Sequence, residues 1–294
     1  MNVQQSKLFG GSWTQEKLDK LQRYLIAYKT ALKNQPFALI YIDAFAGTGY
    51  REAADSSSPD GQLFSALGEP EPQAFLDGSV RIALKIDPPF DEYIFIELSE
   101  ERFSELARIK EEFPQLASRI QLMRGDCNEY LQELCNGLDW EYHRAVLFLD
   151  PFGMQVEWNT IEAVAATQAI DVWILFPLGV AVNRMLTRNG QIPNTWRSRL
   201  DRLFGTNKWF QEFYREKTTT TLWGNEQHLE KVAGFDQIAN YYMQRLRTVF
   251  AGVADNALQL RNSKGIPLFL LCFAAANPRG ARVALKIAQH ILRK

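Results

Sequence analysis

The chain has 294 residues and a formal net charge of −1, with 33 Lys and Arg residues against 34 Asp and Glu residues. Hydrophobic residues make up 46% of it, which is enough for a large core, and 18 glycines with 12 prolines exclude collagen-like and low-complexity chains. The near-neutral charge excludes a polybasic nucleic-acid-binding protein but leaves room for a local basic patch.

The three cysteines, Cys127, Cys135 and Cys272, form no C-x-x-C pair. An odd number at wide spacing argues against a disulfide framework and a structural zinc site. The first ten residues lack the apolar region of a signal peptide, and the apolar run 266–276 is too short to cross a bilayer. We therefore expect a cytoplasmic protein with no membrane association.

The first half of the chain alternates between predicted strands and helices. Leu18, Leu21 and Leu25 form one apolar stripe, which predicts a helix over 14–33 capped by Thr14. Segment 50–77 is rich in Ser, Pro and Glu and is predicted to be a loop insertion. Strands are predicted at 39–43, 93–97, 120–123, 145–149 and 172–176, with helices at 79–86, 99–112, 128–135 and 160–166. This alternation indicates parallel βαβ units.

The second half has a different pattern. Segment 181–250 is predicted to contain helices and loops without a clear strand, and 257–261 with 266–275 are predicted to form a hairpin before a last helix over 278–292. Together the two halves predict an α/β, Rossmann-like fold, with a mostly parallel sheet, an antiparallel C-terminal hairpin strand and a helical insertion. The predicted units are a helical extension at 1–35, an α/β domain at 36–179 and 255–294, and a helical insertion at 180–254 that contacts an acceptor or a partner.

A glycine turn, Asp43-Ala-Phe-Ala-Gly-Thr-Gly49, follows the first predicted strand. Glycines let the backbone approach a ligand, and the N-terminus of the next helix attracts negative charge. No lysine follows Gly49, which excludes a P-loop, and Glu52 stands where a dinucleotide fingerprint has its third glycine. We expect a zwitterionic ligand, with its carboxylate on backbone N–H groups and its ammonium facing Asp43; a tight turn without a ligand is the alternative.

Glu97 ends the second predicted strand, where a carboxylate can hold two ribose hydroxyls. It lies 48 positions after Gly49, and setting aside the 28 positions of segment 50–77 leaves the 20 expected for such an acid. A solvated strand end is the alternative.

Two further acids follow the third and fourth strands. Asp126 can accept from an adenine amino group, cap the next helix, or do both. In Asp150-Pro-Phe-Gly153, Asp150 can orient a substrate amine, Pro151 stiffens the loop and Phe152 offers a stacking face, unless the segment is a simple turn. Four acids at successive strand ends, one with a glycine loop, predict a site for S-adenosylmethionine.

These segments resemble motifs I to IV of class I S-adenosylmethionine-dependent methyltransferases: D-A-F-A-G-T-G at 43–49, I-F-I-E at 94–97, R-G-D-C at 124–127 and L-D-P-F-G at 149–153. The first is similar to its form in RNA and DNA amino-methyltransferases. The last departs from their [D/N]-P-P-[Y/F/W] box, because Phe152 replaces the second proline and Gly153 the aromatic residue. The resemblance implies catalytic roles for Asp150, Pro151, Phe152 and Gly153, and cofactor binding by Asp43, Phe45, Ala46, Gly47, Gly49, Glu97, Leu98, Asp126 and Cys127.

Most of the chain also resembles the three-Cys-motif partner protein family (TcmP). The resemblance covers the Trp13 helix, 41–49, 77–79, 149–153 and 273–280. In that family the three-cysteine motif belongs to a genomic partner, so that the cysteines of this chain are unrelated to the name. The resemblance implies a methyltransferase-like fold and a three-Cys-motif protein as a possible partner.

Basic residues concentrate in two segments, 181–208 and 279–294, each with a net charge of +5, so the remainder carries −11. The asymmetry indicates an anionic partner such as nucleic acid, with Trp196 and Trp209 stacking on bases. Ordinary solvated helix faces with core tryptophans are the alternative. The predicted contacts are Arg184, Arg188, Arg197, Arg199, Arg202 and Lys208.

The sequence thus predicts an S-adenosylmethionine-dependent methyltransferase whose acceptor is nucleic acid or another anionic macromolecule. The alternative is a cofactor-binding, catalytically weak module that docks a partner protein. A nicotinamide oxidoreductase is disfavoured by the missing third glycine, and the scattered His143, His228 and His290 predict neither metal nor nucleophilic hydrolysis.

Overall fold

The computed structural model describes residues 12–47, 78–151, 153–221 and 224–293. The predicted site residues Gly49 and Phe152 and the predicted loop insertion 50–77 lie outside these residues.

Ten strands and eleven α-helices are found in the described residues. The strands are β1 Ala38–Asp43, β2 Glu92–Glu97, β3 Ile120–Arg124, β4 His143–Leu149, β5 Ile170–Phe176, β6 Tyr214–Thr221, β7 Gly224–Lys231, β8 Gly252–Val253, β9 Leu258–Arg261 and β10 Pro267–Ala275. The helices are α1 Ser12–Leu32, α2 Ser79–Leu84, α3 Glu100–Ala107, α4 Ile109–Glu112, α5 Cys127–Gly137, α6 Trp158–Ala166, α7 Asn183–Met185, α8 Asn194–Phe204, α9 Trp209–Phe213, α10 Phe235–Arg247 and α11 Ala281–Leu292. A 3-10 helix spans Pro114–Arg119 and a π-helical turn spans Leu178–Val182.

The central sheet has the strand order β3-β2-β1-β4-β5-β10-β8, with β9 also paired to β10. Strands β1 to β5 are parallel, and β10 runs antiparallel to β5. The predicted Rossmann-like α/β fold with an antiparallel C-terminal hairpin strand is therefore confirmed. The chain order reverses between β1 and β4, and in such sheets ligands bind beyond the carboxyl ends of the strands at this switch point.

The two faces of the sheet have different cores, because alternate residues of each strand point to opposite faces. One face presents aliphatic residues such as Ile40, Ile42 and Leu147 to α5, α6 and the region after β5. The other presents aromatic residues such as Tyr41 and Phe148 to α1, α2 and α11. Both faces are covered, which explains why β1, β4 and β5 read as continuous apolar runs.

Three expectations about the elements are wrong. Thr14 does not cap the first helix, because α1 begins at Ser12 and Thr14 lies inside it. Segment 181–250 is not free of strands, because β6 and β7 form an antiparallel hairpin. These strands are rich in Thr and charged residues and lack the apolar alternation that marks a half-buried strand. The predicted helix 99–112 is divided into α3 and α4 at Arg108, with Ser99 as the N-cap.

No helix within the described ranges combines the length and the apolar character needed to cross a bilayer.

Candidate active site

Asp43, at the carboxyl end of β1, is completely buried and held by donors from three elements. Its Oδ1 accepts a hydrogen bond from the backbone N–H of Phe45 at 3.2 Å. Its Oδ2 accepts from the Tyr41 hydroxyl at 3.3 Å and from the Ser79 hydroxyl. Gly78 holds the N-cap position of α2, and the Ser79 hydroxyl donates to Asp43 instead of capping the helix.

The pKa of Asp43 is raised from 3.8 to about 6, mainly by burial and also by the charge of Asp150, against the hydrogen bonds from Ser79, Phe45 and Tyr41. With three protein donors on its oxygens, Asp43 holds the shape of the turn after β1. Direct contact between Asp43 and a ligand ammonium stays a prediction.

The turn after β1 lies against the end of β2. The backbone N–H of Ala46 donates to the carbonyl of Ile96 at 2.9 Å. A Cβ atom added to Gly47 would lie 2.0 Å from Oε2 of Glu97, so the carboxylate occupies the space that a side chain at position 47 would need. Glu97 is buried, and its Oε1 accepts from the N–H of Ser99 at 2.7 Å. The Glu97 carboxylate therefore packs directly on Gly47.

The next residues continue along this edge toward β3. Leu98 has 61% of its surface exposed, which makes it one of the exposed large apolar residues. Asp126 follows β3 and caps α5, since its Oδ1 accepts from the N–H of Asn128 at 2.8 Å. Cys127 is buried, and burial raises the pKa of its thiol to about 12, so the thiol stays protonated. The helix-capping alternative for Asp126 is confirmed and remains compatible with a ligand contact.

Asp150 follows β4, adjacent to the end of β1 in the sheet. The ammonium of Lys17 in α1 forms an ion pair with its Oδ2, and the two side chains are 6% and 23% exposed. Pro151 and Gly153 are buried beside it, and Phe45 is half-buried in the turn after β1.

Lys17 is the site residue that sequence reasoning missed. The predicted helical extension was treated as separate from the site, yet α1 begins at the carboxyl edge of the sheet, where Trp13 lies 5.0 Å from the ring of Phe269. A signal was present, because Lys17 falls four residues before Leu21, on the buried stripe of the helix. A lysine is rarely buried without a partner, and Asp150 is that partner.

Asn128 ties the loop after β4 to the start of α5 through all its polar groups. Its Nδ2 donates to Asp126 Oδ1 at 3.0 Å and to the Gln155 carbonyl at 2.9 Å. Its Oδ1 accepts from the Glu157 N–H and the Thr160 hydroxyl, both at 2.9 Å. Since the side chain is buried, these bonds hold residues 155–157 in place beside the site.

The basic residues of 184–208 are only partly available to a partner. Arg202 pairs with Glu157 at 3.3 Å, and Arg197 lies over the ring of Phe210 at 4.4 Å. Trp209 is fully buried and donates to Asp201, so the expectation that it stacks on bases is wrong. Arg184, Arg188 and Lys208 are exposed, while Arg199 is half-buried.

Structure comparison finds solved proteins of low sequence identity. They include protein LPL1258 of Legionella pneumophila, at 14% identity over 82% of this chain and 93% of that one, with a TM-score of 0.39. A candidate S-adenosylmethionine-dependent methyltransferase of Listeria monocytogenes matches at 11% identity over 86% and 97%, with a TM-score of 0.32. The glycopeptide N-methyltransferase MtfA, complexed with S-adenosylhomocysteine, matches at 12% over 86% and 89%, with a TM-score of 0.30.

No protein-family model and no curated protein matches the chain. Membership of the three-Cys-motif partner family therefore stays a prediction, and the fold rests on its own strand order. Within the described ranges no group of three or more His, Cys, Asp and Glu side chains could hold a metal ion.

Proposed function

We propose that this protein binds S-adenosylmethionine at the carboxyl edge of the sheet and is a methyltransferase. The observation that carries the proposal is the position of Asp43 and Asp150 on the two strands that flank the switch point, with the Glu97 carboxylate resting on Gly47 one strand away. Doubly wound sheets bind nucleotide-like ligands at this position, and an acid after the second strand holds the ribose.

The residues present fit the chemistry of this cofactor. The missing Cβ of Gly47 makes room for the Glu97 carboxylate, which has a second oxygen to offer a ribose hydroxyl beyond its bond to Ser99. Leu98 presents an exposed apolar surface beside it, which suits one face of a purine ring. Asp126 and Cys127 lie at the neighbouring strand end, where the adenine amino group would meet them.

The protein's contribution to the reaction is positioning. When bound, the cofactor supplies an already activated methyl group on its sulfonium. The chain must then hold an acceptor atom in line with it, and this alignment can supply several kcal/mol of a barrier. Asp150, Pro151 and Gly153 border that position, and the Asn128 hydrogen bonds hold residues 155–157 in place beside it.

Calorimetric titration of S-adenosylmethionine into the protein, after any co-purified cofactor is removed, tests the proposal. We expect a dissociation constant on the order of 1 μM, about −8 kcal/mol. Absence of heat up to millimolar cofactor, in a sample whose thermal unfolding shows it to be folded, would contradict it. NADH serves as the control ligand, and binding of NADH alone would favour the oxidoreductase alternative.

For the acceptor we propose nucleic acid. The support is the net charge of +5 in 181–208 and the exposure of Arg184, Arg188 and Lys208. Incubation with methyl-labelled cofactor and separated RNA, DNA and protein fractions of a cell lysate is the test. Label in RNA or DNA that falls with added salt is expected, because phosphate contacts release counterions. Label confined to the protein fraction would contradict it.

A second candidate function is a cofactor-binding module that docks a partner, for which the resemblance suggests a three-Cys-motif protein. The observation that favours it is the ion pair of Lys17 with Asp150, which engages the residue expected to orient a substrate amine. Methyl transfer at multiple turnovers by the isolated protein would exclude this function. Cofactor binding without turnover, restored when the partner is added, would support it.

A further inference from the structure

The buried ion pair between Lys17 and Asp150 lies at the end of β4, two strands away from Glu97 at the end of β2. Neighbouring strands are about 4.8 Å apart, so the ends of β2 and β4 are separated by about 10 Å across β1. A ligand whose ribose sits at Glu97 and whose remainder extends over the turn after β1 reaches the end of β4. In S-adenosylmethionine that remainder is the amino-acid end.

An amino acid is a zwitterion and needs two kinds of partner. Its ammonium requires an acceptor and its carboxylate requires donors, and both must be present because each charge loses its hydration on binding. Asp150 and Lys17 supply an acceptor and a cationic donor side by side. The other acids of this edge, Asp43, Glu97 and Asp126, repel a carboxylate rather than hold it.

The side chain of Lys17 is held in place by the packing of α1 on the sheet. Thr14 and Lys17 are buried on the face of α1 turned toward the sheet, and the ammonium lies 5.2 Å from the Trp13 ring. The contact of Trp13 with Phe269 attaches the start of α1 to β10. A lysine held in this way differs from a surface lysine because its side-chain entropy is already lost before a ligand arrives.

We propose that Lys17 is a cofactor-binding residue whose ammonium bonds the carboxylate of the amino-acid end, while Asp150 accepts from the ammonium of the same ligand. The inference rests on the proposed function. It replaces the expectations that the ligand carboxylate meets the backbone N–H groups of the glycine turn, that the ammonium faces Asp43 and that Asp150 orients a substrate amine. The helix α1 is then a wall of the site and not an extension separate from it. An ammonium carries three N–H donors, so a ligand carboxylate can join Asp150 on Lys17.

The test compares two cofactor forms that differ only in the carboxylate, S-adenosylmethionine and its decarboxylated form, by calorimetry. In the unchanged protein, removal of the ligand carboxylate is expected to weaken binding on the order of 30-fold. In Lys17→Met the carboxylate-bearing form should weaken by the same factor, while the decarboxylated form should change less than threefold. The two forms should then bind with nearly equal affinity.

Lys20→Met is the matched control. Lys20 is a second buried lysine of α1, one turn along, and its ammonium donates to the Arg293 carbonyl at 3.3 Å. It should lower stability without changing the ratio between the two ligands. Lys17→Arg keeps the charge and should retain most of the preference for the carboxylate; it also serves if Lys17→Met does not fold.

An equal loss for both ligands in Lys17→Met would overturn the inference, because Lys17 would then act only through the shape of the site. Equal affinities of the unchanged protein for both ligands would overturn it as well. If the unchanged protein binds neither ligand, the proposed function itself fails, which is a different result from a lost preference.

Discussion

The two ends of the central sheet use buried acids in different ways. At the carboxyl edge, Asp43 and Glu97 accept hydrogen bonds from the backbone N–H groups of the turns that follow them, at Phe45 and Ser99. At the amino edge, Asp171 near the start of β5 is buried and accepts from the Tyr24 hydroxyl of α1 at 2.6 Å. One helix, α1, supplies a partner at both ends, since Lys17 reaches Asp150 seven residues before Tyr24.

The contrast separates residues that shape a ligand site from residues that attach a helix. An acid that organises a turn at the switch point leaves its edge open to a ligand, and Leu98 beside Glu97 is largely exposed. Asp171 is enclosed between α1 and the sheet, where Tyr24 also packs on Trp173 and Phe273. We therefore expect changes at the carboxyl edge to affect binding first and changes at the amino edge to affect stability first.

The largest effect on binding is expected for Glu97→Ala. The charge-assisted hydrogen bond that we propose between the ribose and Glu97 would be lost, so cofactor affinity should fall by about 100-fold, while the free energy of unfolding falls by about 1 kcal/mol. Calorimetry and urea denaturation measure the two. The matched control is Glu92→Ala at the amino end of the same strand, which should bind normally. Unchanged affinity in Glu97→Ala would remove Glu97 from the site.

Asn128→Ala tests whether some residues at the carboxyl edge stabilise the fold. Removal of this side chain leaves the Glu157 N–H, the Thr160 hydroxyl and the Gln155 carbonyl without their partner. The free energy of unfolding should fall by about 2–3 kcal/mol. Asn136→Ala, on the exposed side of the same helix, should stay within about 0.5 kcal/mol. Equal denaturation midpoints for the two variants would mean that water replaces the Asn128 bonds.

At the amino edge, Tyr24→Phe removes the donor to Asp171 and keeps the ring in the core. We expect a loss of about 1–2 kcal/mol in unfolding free energy with cofactor affinity unchanged. Tyr28→Phe leaves the Tyr24–Asp171 hydrogen bond in place and serves as the control. A large loss of affinity in Tyr24→Phe would show that the two edges are coupled through α1. It would contradict the expectation that changes at the amino edge affect stability first.

Asp171 is also expected to make stability depend on pH. Burial raises the pKa of Asp171 from 3.8 to about 7, against the Tyr24 hydrogen bond and the Arg144 charge. The folded protein therefore binds this proton more tightly than the unfolded chain does. Its contribution to stability is fully present below the unfolded pKa and is lost as pH rises toward about 7.

Urea midpoints at pH 5 and pH 8 measure this effect. In Asp171→Asn the decrease from pH 5 to pH 8 should be smaller than in the unchanged protein, because the amide does not titrate. Asp43, whose pKa is raised to about 6 mainly by burial, contributes its own decrease in stability in both proteins. An identical decrease in both would mean that Asp171 is ionised in the folded state across this range.

Patterns of buried residues allowed much of the parallel sheet to be predicted from sequence. Strands such as β1, β4 and β5 are covered on both faces, so their apolar runs identify them, and the acids that end β1 and β2 identify the carboxyl edge. The hairpin β6–β7 could not be found in this way. Its pairing rests on backbone hydrogen bonds, which leave no apolar pattern in the sequence.

The sequence by itself determined the fold class, the order of the parallel strands along the chain and the acids at their ends, because burial and glycine turns leave local patterns. Only the tertiary structure decided that Lys17 lies on Asp150, 133 positions away, and that Glu97 rests on Gly47. It also decided that Trp209 is a core residue and not a surface for bases. Such pairings depend on how α1 and the insertion pack on the sheet, and no short-range pattern of residues specifies them.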